Sequence, residues 1–393
     1  MTSVDTRAAN LSPKDAAVAP APIGVIPKPG GKLDALESLR GFAAMYVVAG
    51  HICNLYFGNP PWTLPFRFAA EAVILFFLLS GFVIRYSTRD DTGSGEYLFK
   101  RFRRIYPLFF LSLPISYFLS SYADGEFHKV DVAQLVGNVL MLQDFGYARP
   151  GVWVDQFYND AFWSLSYEWW FYLFFLAVIR FNSRDKPRTV LVGGVALAAL
   201  GAQLVAPNEI SFFLTHFAIW WAGADLAREF RQSGTVTLRR HVPFAVFLAL
   251  LAGVWAVPLL DMPRSQWAFG LYPIMEMRRF AFAGLALIAG LIYYRYAWNR
   301  GGQRLFAWTF GPFKYVAPIS YGIYVFHFPI LDALKATRVA SSALLYIAVS
   351  LAAIFALAYF MEIIVQGWIN AGTEPMLRRL KAQAAKPVPA PAG

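Results

Sequence analysis

The 393-residue chain is 58% hydrophobic and 17% aromatic, with only 15% charged residues and a net charge of +11. Soluble chains usually carry about 25% charged residues, so a soluble globular enzyme is excluded. The basic residues cluster between apolar runs rather than forming a continuous patch, which excludes a nucleic-acid binder and fits a membrane protein. The lone Cys53 rules out an intrachain disulfide and a multi-cysteine zinc site.

In chain order, residues 1–35 are rich in Ala and Pro and predict a disordered cytoplasmic tail. A helix crosses the hydrocarbon layer in about 20 residues. The apolar runs predict an all-α integral membrane protein with ten transmembrane helices, at 36–57, 66–86, 105–122, 163–181, 189–206, 210–227, 242–260, 279–296, 315–335 and 341–365. The stretch 131–145 is too polar to span and predicts a short amphipathic helix at the outer surface. Residues 366–393 form a basic cytoplasmic tail. Counted over the connecting segments together with the span ends that adjoin them, Lys and Arg divide 26 to 8 when both termini are placed inside, which sets that orientation.

Polar side chains inside spans are expensive and mark function. The first span holds Arg40 and His51, which on an ideal helix differ by only about 20° in direction and about 16 Å in depth. A snorkelling arginine and a histidine bonded to a backbone carbonyl would account for each alone, but not for their alignment. Glu168 falls in the outer half of the fourth span and His327 in the ninth, about 18 Å from its cytoplasmic end. His51, Glu168 and His327 thus share a depth. Such a cluster suits general acid–base chemistry, and equally a polar network that glues helices together. Glu71, in the second span, and His216, in the sixth, are further polar groups in outer halves. His128 and His241 show no partner and are expected at the surface.

On the cytoplasmic side, Lys100-Arg101-Phe102-Arg103-Arg104 opens the third span. Four bases there attract anionic lipid, and their guanidinium groups equally suit the phosphates of a soluble donor. No Gly-x-Ser-x-Gly elbow is present. Cys53 lies about 200° around the helix from His51 and is expected to pack.

LDALESLRGFAAMYVVAGH, FFLLSGFVI, KRFRRIYP, WSLSYEWWFYL and SYGIYVFHFPIL occur in this order. Together, over roughly residues 33–365, they resemble the acyltransferase 3 family of membrane-bound O-acyltransferases, which includes bacterial polysaccharide O-acetyltransferases. The family's Arg-x10-His signature falls on Arg40 and His51. Its Arg-x-Arg element falls on Arg101 and Arg103, with Arg104 an alternative member. Its Trp-Ser-Leu-x-x-Glu element ends at Glu168, and its late Ser-Tyr-x-x-Tyr-x-x-His element falls on Ser320, Tyr321, Tyr324 and His327. The resemblance implies transfer of an acyl group, commonly acetyl from acetyl-CoA, to a glycan or lipid-linked saccharide at the inner (plasma) membrane, with no metal. His51 is then the expected base or, less favoured, an acyl carrier. Glu168 and His327 would orient it, and Arg40 with Arg101, Arg103 and Arg104 would hold CoA. Many members carry a further extracellular esterase-like domain. This chain ends about 28 residues after the last expected span, so transfer is expected within the membrane domain. A polytopic transporter or flippase is the rival reading, weakened by the lack of visible internal repeats.

Overall fold

A computed structural model describes residues 32–89, 91–181 and 188–384. The expected tail up to residue 31, the basic segment 182–187 and the end of the chain from 385 lie outside the described residues. The chain runs through α1 (Lys32–Leu55), α2 (Ala69–Ser87), α3 (Ser94–Asp124), α4 (Val132–Val139), β1 (Gln143–Asp144), β2 (Val154–Asp155), α5 (Trp163–Phe181), α6 (Arg188–Val205) and α7 (Glu209–Ser233). It continues through α8 (Leu238–Trp255), α9 (Ile274–Ile292), α10 (Gln303–Thr309), α11 (Ser320–Lys335), α12 (Ala343–Tyr359) and α13 (Gln366–Ala384). The two strands form a minimal parallel pair, Gln143 opposite Val154 and Asp144 opposite Asp155.

Among the described residues, eight helical stretches are long and apolar enough to cross a membrane, and each coincides with one of the ten expected spans. The other two expected spans are α1 and α11, the helices that carry the candidate histidines. The first is made less apolar by Arg40, His51 and Asn54, and α11 is only 16 residues long. A helix built for chemistry thus loses part of its hydropathy signal.

Three boundaries differ from the expectation. The third span begins at Ser94 rather than 105, so Lys100, Arg101, Arg103 and Arg104 lie on α3 itself and not ahead of it. Six of its residues, Glu96, Leu98, Lys100, Arg101, Arg103 and Arg104, are good helix formers, and Glu96 and Lys100 pair at 2.5 Å across one turn. The eighth span begins at Ile274, five residues earlier than expected, which draws Glu276 and Arg278 into the helix and moves Arg279 from its first residue to its second turn. The last span runs on without a break from Ala343 to Gln383, through a π-helical turn at Phe360–Val365. The amphipathic stretch at 131–145 is helical only over α4, where Asp131 caps the first turn.

The bundle is pinned where small residues let backbones touch. A Cβ on Gly81 of α2 would stand 1.9 Å from the Trp220 carbonyl oxygen, and one on Gly223 of α7 would stand 1.9 Å from that of Leu78. The two glycines face each other across one interface, the arrangement that membrane helices use for close packing. On the other side of α2, α1 packs against both α2 and α11, and α11 against α3. The space between these helices holds the site.

Candidate active site

A cavity of about 200 Å³ lies among α1, α2, α3, α5 and α11. At one end it is lined by Arg40, Arg101 and Arg104, and farther along by Ser80, Glu168, Tyr172, Ser164 and Tyr324. On α2 its lining runs from Ile84 to Val73, eleven residues or about 16 Å of helix. Its walls between the polar groups are apolar, with Phe76, Phe77, Leu79 and Ile105. A cleft that is basic at one end and lined by hydroxyls and one carboxyl farther along suits a long substrate with an anionic head.

The structure brings His51 and His327 together: their ring centroids are 5.0 Å apart. The His327 Nδ1 lies 2.7 Å from the Tyr324 carbonyl oxygen. A carbonyl can only accept, so Nδ1 carries a proton, and in the neutral ring Nε2 keeps its lone pair. That Nε2, and the Nδ1 of His51, are buried without a hydrogen-bond partner among the described residues. Unpaired buried nitrogens are costly, and two on neighbouring rings suit a polar substrate group.

Neither histidine lines the cavity itself. Tyr324 stands between, with its ring 5.8 Å from that of His327 and its hydroxyl accepting from the Ser164 Oγ at 2.7 Å. Asn159 ties this end down, donating from Nδ2 to the Val325 carbonyl at 2.9 Å and to Ser116 Oγ at 3.1 Å.

Glu168 is placed differently from the expectation. It bonds to neither histidine. Its Oε1 accepts from Ser80 Oγ at 2.8 Å and from the Tyr172 hydroxyl, facing the middle of the cavity. Arg40 lines the basic end, with Glu37 3.7 Å away. Arg101 reaches that end between the rings of Tyr97 and Tyr172, 5.7 and 5.8 Å from their centroids. Arg104 lies 5.3 Å over the Tyr321 ring and pairs with Glu362 at 2.6 Å. Arg103 turns away from the cavity toward α13, where it meets Glu374 at 3.4 Å and the Asn370 carbonyl. Of the three arginines of the basic element, Arg101 and Arg104, three residues apart on one helix face, line the cavity, and Arg103 does not.

The sequence profile of the acyltransferase 3 family, described as an acyltransferase domain, matches residues 33–363. The chain belongs to this family. The acyltransferase is 26% identical over 293 residues to Nodulation protein 10 of Rhizobium leguminosarum bv. viciae, a match covering 60% of this chain and 78% of that protein. It is 34% identical over 184 residues to Acyltransferase MdmB of Streptomyces mycarofaciens, covering 44% of this chain and 46% of that one. The chain therefore spans under half the length of the second relative. No solved structure matches it. The protein is a multi-pass membrane acyltransferase, and the transporter reading is not favoured. Among the described residues no group of three His, Cys, Asp or Glu side chains is arranged to hold a metal ion.

Sequence reasoning passed over one large feature of this acyltransferase. Arg149 is fully buried and holds both oxygens of Asp144 at 2.6 and 2.5 Å, the Tyr167 hydroxyl at 2.7 Å and Glu276 Oε1 at 2.7 Å. Glu276 in turn meets Arg279 at 3.2 Å and His216 at 2.9 Å. Burial opposes the charge on Arg149, and the carboxylates of Asp144 and Glu276 more than offset it, so its pKa is raised. The network fastens the loop carrying β1 and β2 to α5, α7 and α9. His241 is likewise no surface residue: it is buried, with Glu229 at 2.5 Å and Asp225 at 3.6 Å. His128 pairs with Asp124 at 3.0 Å. Glu71 pairs with Arg278.

Proposed function

We propose that this acyltransferase moves an acyl group, acetyl above all, from acyl-CoA to a hydroxyl of a cell-surface or lipid-linked glycan. It does so within a ten-span domain of the inner (plasma) membrane, with both termini in the cytoplasm. The observation that carries this reading is the polarity of the cavity. Its basic end, at Arg40, Arg101 and Arg104, suits the phosphates of a soluble donor, and its far end adjoins two imidazoles with unpaired nitrogens. The basic clusters between spans support the orientation, because they put the donor end of the cavity on the side where CoA is found.

In the transfer, CoA phosphates meet Arg101 and Arg104, and the pantetheine arm follows α2 toward Ser164 and Tyr324. The acceptor hydroxyl approaches from the histidine side. One histidine, His51 as base with His327 beside it, takes the hydroxyl proton as the oxygen attacks the thioester carbonyl carbon. The new C–O bond forms, the C–S bond breaks, and the proton passes to the departing thiolate. Donor and acceptor thus meet from opposite sides of Tyr324, and no acyl-enzyme is required. Glu168, bonded to Ser80 and Tyr172, shapes the middle of the channel, and its negative charge keeps the donor's anionic head at the basic end. Comparison of the envelope glycans of cells with and without the protein tests this directly. O-acetyl esters present only with the protein are expected. Identical glycans, with acetyl found on another class of molecule, would overturn the acceptor assignment.

A further inference from the structure

We propose that Glu362 is a positioning residue, which fixes Arg104 at the basic end of the cavity and sets the start of α11 with the same carboxylate. This rests on the reading that Arg104 meets the donor. Glu362 sits in the π-helical turn between α12 and α13, and such turns re-aim side chains and recur at functional sites. Its side chain is 2% exposed, while that of Arg104 is 36% exposed. The carboxylate is thus the anchored partner, and the guanidinium the one that reaches open space. Arg104 is also held over Tyr321, whose hydroxyl donates to the Ile105 carbonyl at 2.8 Å, so the arginine has two fixed neighbours.

The second oxygen of Glu362 does other work. It accepts the backbone N–H of Gly322 at 2.7 Å. Gly322 is in the first turn of α11, where N–H groups have no partner within the helix. The residue before that helix, Ile319, makes no side-chain cap. A carboxylate from another helix supplies the cap instead, in the place where negative charge is most favourable. The helices approach closely here, since a Cβ at position 322 would stand 3.0 Å from the Ala358 Cα. His327 is five residues farther along α11, about 7.5 Å of rise. One buried carboxylate therefore registers the donor arginine on α3 and the histidine helix against each other. A merely structural clamp would hold α11 without regard to the donor.

The test uses the full-length protein in detergent, with acetyl-CoA as the titrated probe. It also measures labelled acetyl transfer, at saturating acetyl-CoA, to envelope polysaccharide extracted from cells lacking the protein. Glu362→Gln keeps an acceptor for the Gly322 N–H but loses the charge that holds Arg104. The Kd for acetyl-CoA is expected to rise roughly tenfold, with the saturated rate and the melting temperature little changed. In Arg104→Gln/Glu362→Gln the Kd should be no higher than in Arg104→Gln alone, because one residue acts through the other. Independent, additive effects of the two substitutions would overturn the proposal, as would a fall in rate at unchanged Kd, or tighter binding by Glu362→Gln. If Arg104→Gln itself left the Kd unchanged, the donor-site reading would fall with it, which separates the two failures.

Discussion

Asp144→Asn should destabilise this acyltransferase more than any exposed charge substitution, and the size of the effect follows from the contacts. In the native protein Arg149 has two carboxylate partners, Asp144 and Glu276, and all three side chains are 0% exposed. The asparagine keeps the shape of the aspartate and removes its charge. Arg149 and Arg279 would then share Glu276 alone, with no water to screen the excess. Breaking a buried pair by removing one partner costs about 3–5 kcal/mol. At roughly 2–4 °C per kcal/mol, the melting temperature should fall by roughly 6–20 °C. The assay is tryptophan fluorescence of the purified protein on heating, at one fixed scan rate because membrane-protein unfolding is often irreversible. Adding Arg149→Met should recover part of the loss, since an apolar group of similar length leaves no unpaired cation. A melting temperature within about 1 °C of wild type for Asp144→Asn would refute the argument that a buried guanidinium depends on that carboxylate.

The basic element should divide sharply on substitution by Gln. Arg101→Gln and Arg104→Gln should each weaken acetyl-CoA binding by roughly 10- to 150-fold, as expected for loss of a charge-assisted contact of about 1.5–3 kcal/mol. Arg103→Gln, whose partner Glu374 is 37% exposed, should change it less than about twofold; titration of the purified variants checks this. For orientation, single cysteines at Asp91 and Tyr147, both exposed, in a Cys53→Ser background should be read with an impermeant thiol reagent on intact cells. Labelling at position 147 and not at 91 is expected, and the reverse would put the basic end of the cavity on the wrong side for CoA.

Much of this arrangement was legible in the sequence because membrane helices write their apolar length plainly. The two candidate histidines were legible for the opposite reason, as polar residues where hydrocarbon should exclude them. Glu168 was found by the same signal, but its partners were not, since Ser80 and Tyr172 look like ordinary residues of apolar helices. Glu362 escaped because its two partners, Arg104 and the Gly322 N–H, come from distant parts of the chain and one of them is backbone. The network around Arg149 escaped through a boundary. With α9 placed five residues late, Glu276 fell in a loop and Arg279 at the very end of the span, and His216 was left without a reason to be buried. The basic run at 100–104 lowered the hydropathy of α3 and hid its first turns, so helix geometry could not be used to separate Arg103 from Arg101 and Arg104.

The central claim is that acyl transfer takes place at the His51–His327 pair, with the donor held at a distance by the basic end of the cavity. Its most direct test is the rate of labelled acetyl transfer from saturating acetyl-CoA to extracted envelope polysaccharide by His51→Gln, alongside its acetyl-CoA affinity and melting temperature. Glutamine keeps hydrogen bonding but cannot serve as a base of useful strength. The account predicts a rate lower by about 10²–10⁴-fold, with affinity and melting temperature close to wild type. Transfer at near the wild-type rate would contradict it, leaving the histidine pair as packing and shifting the search for the base to Glu168.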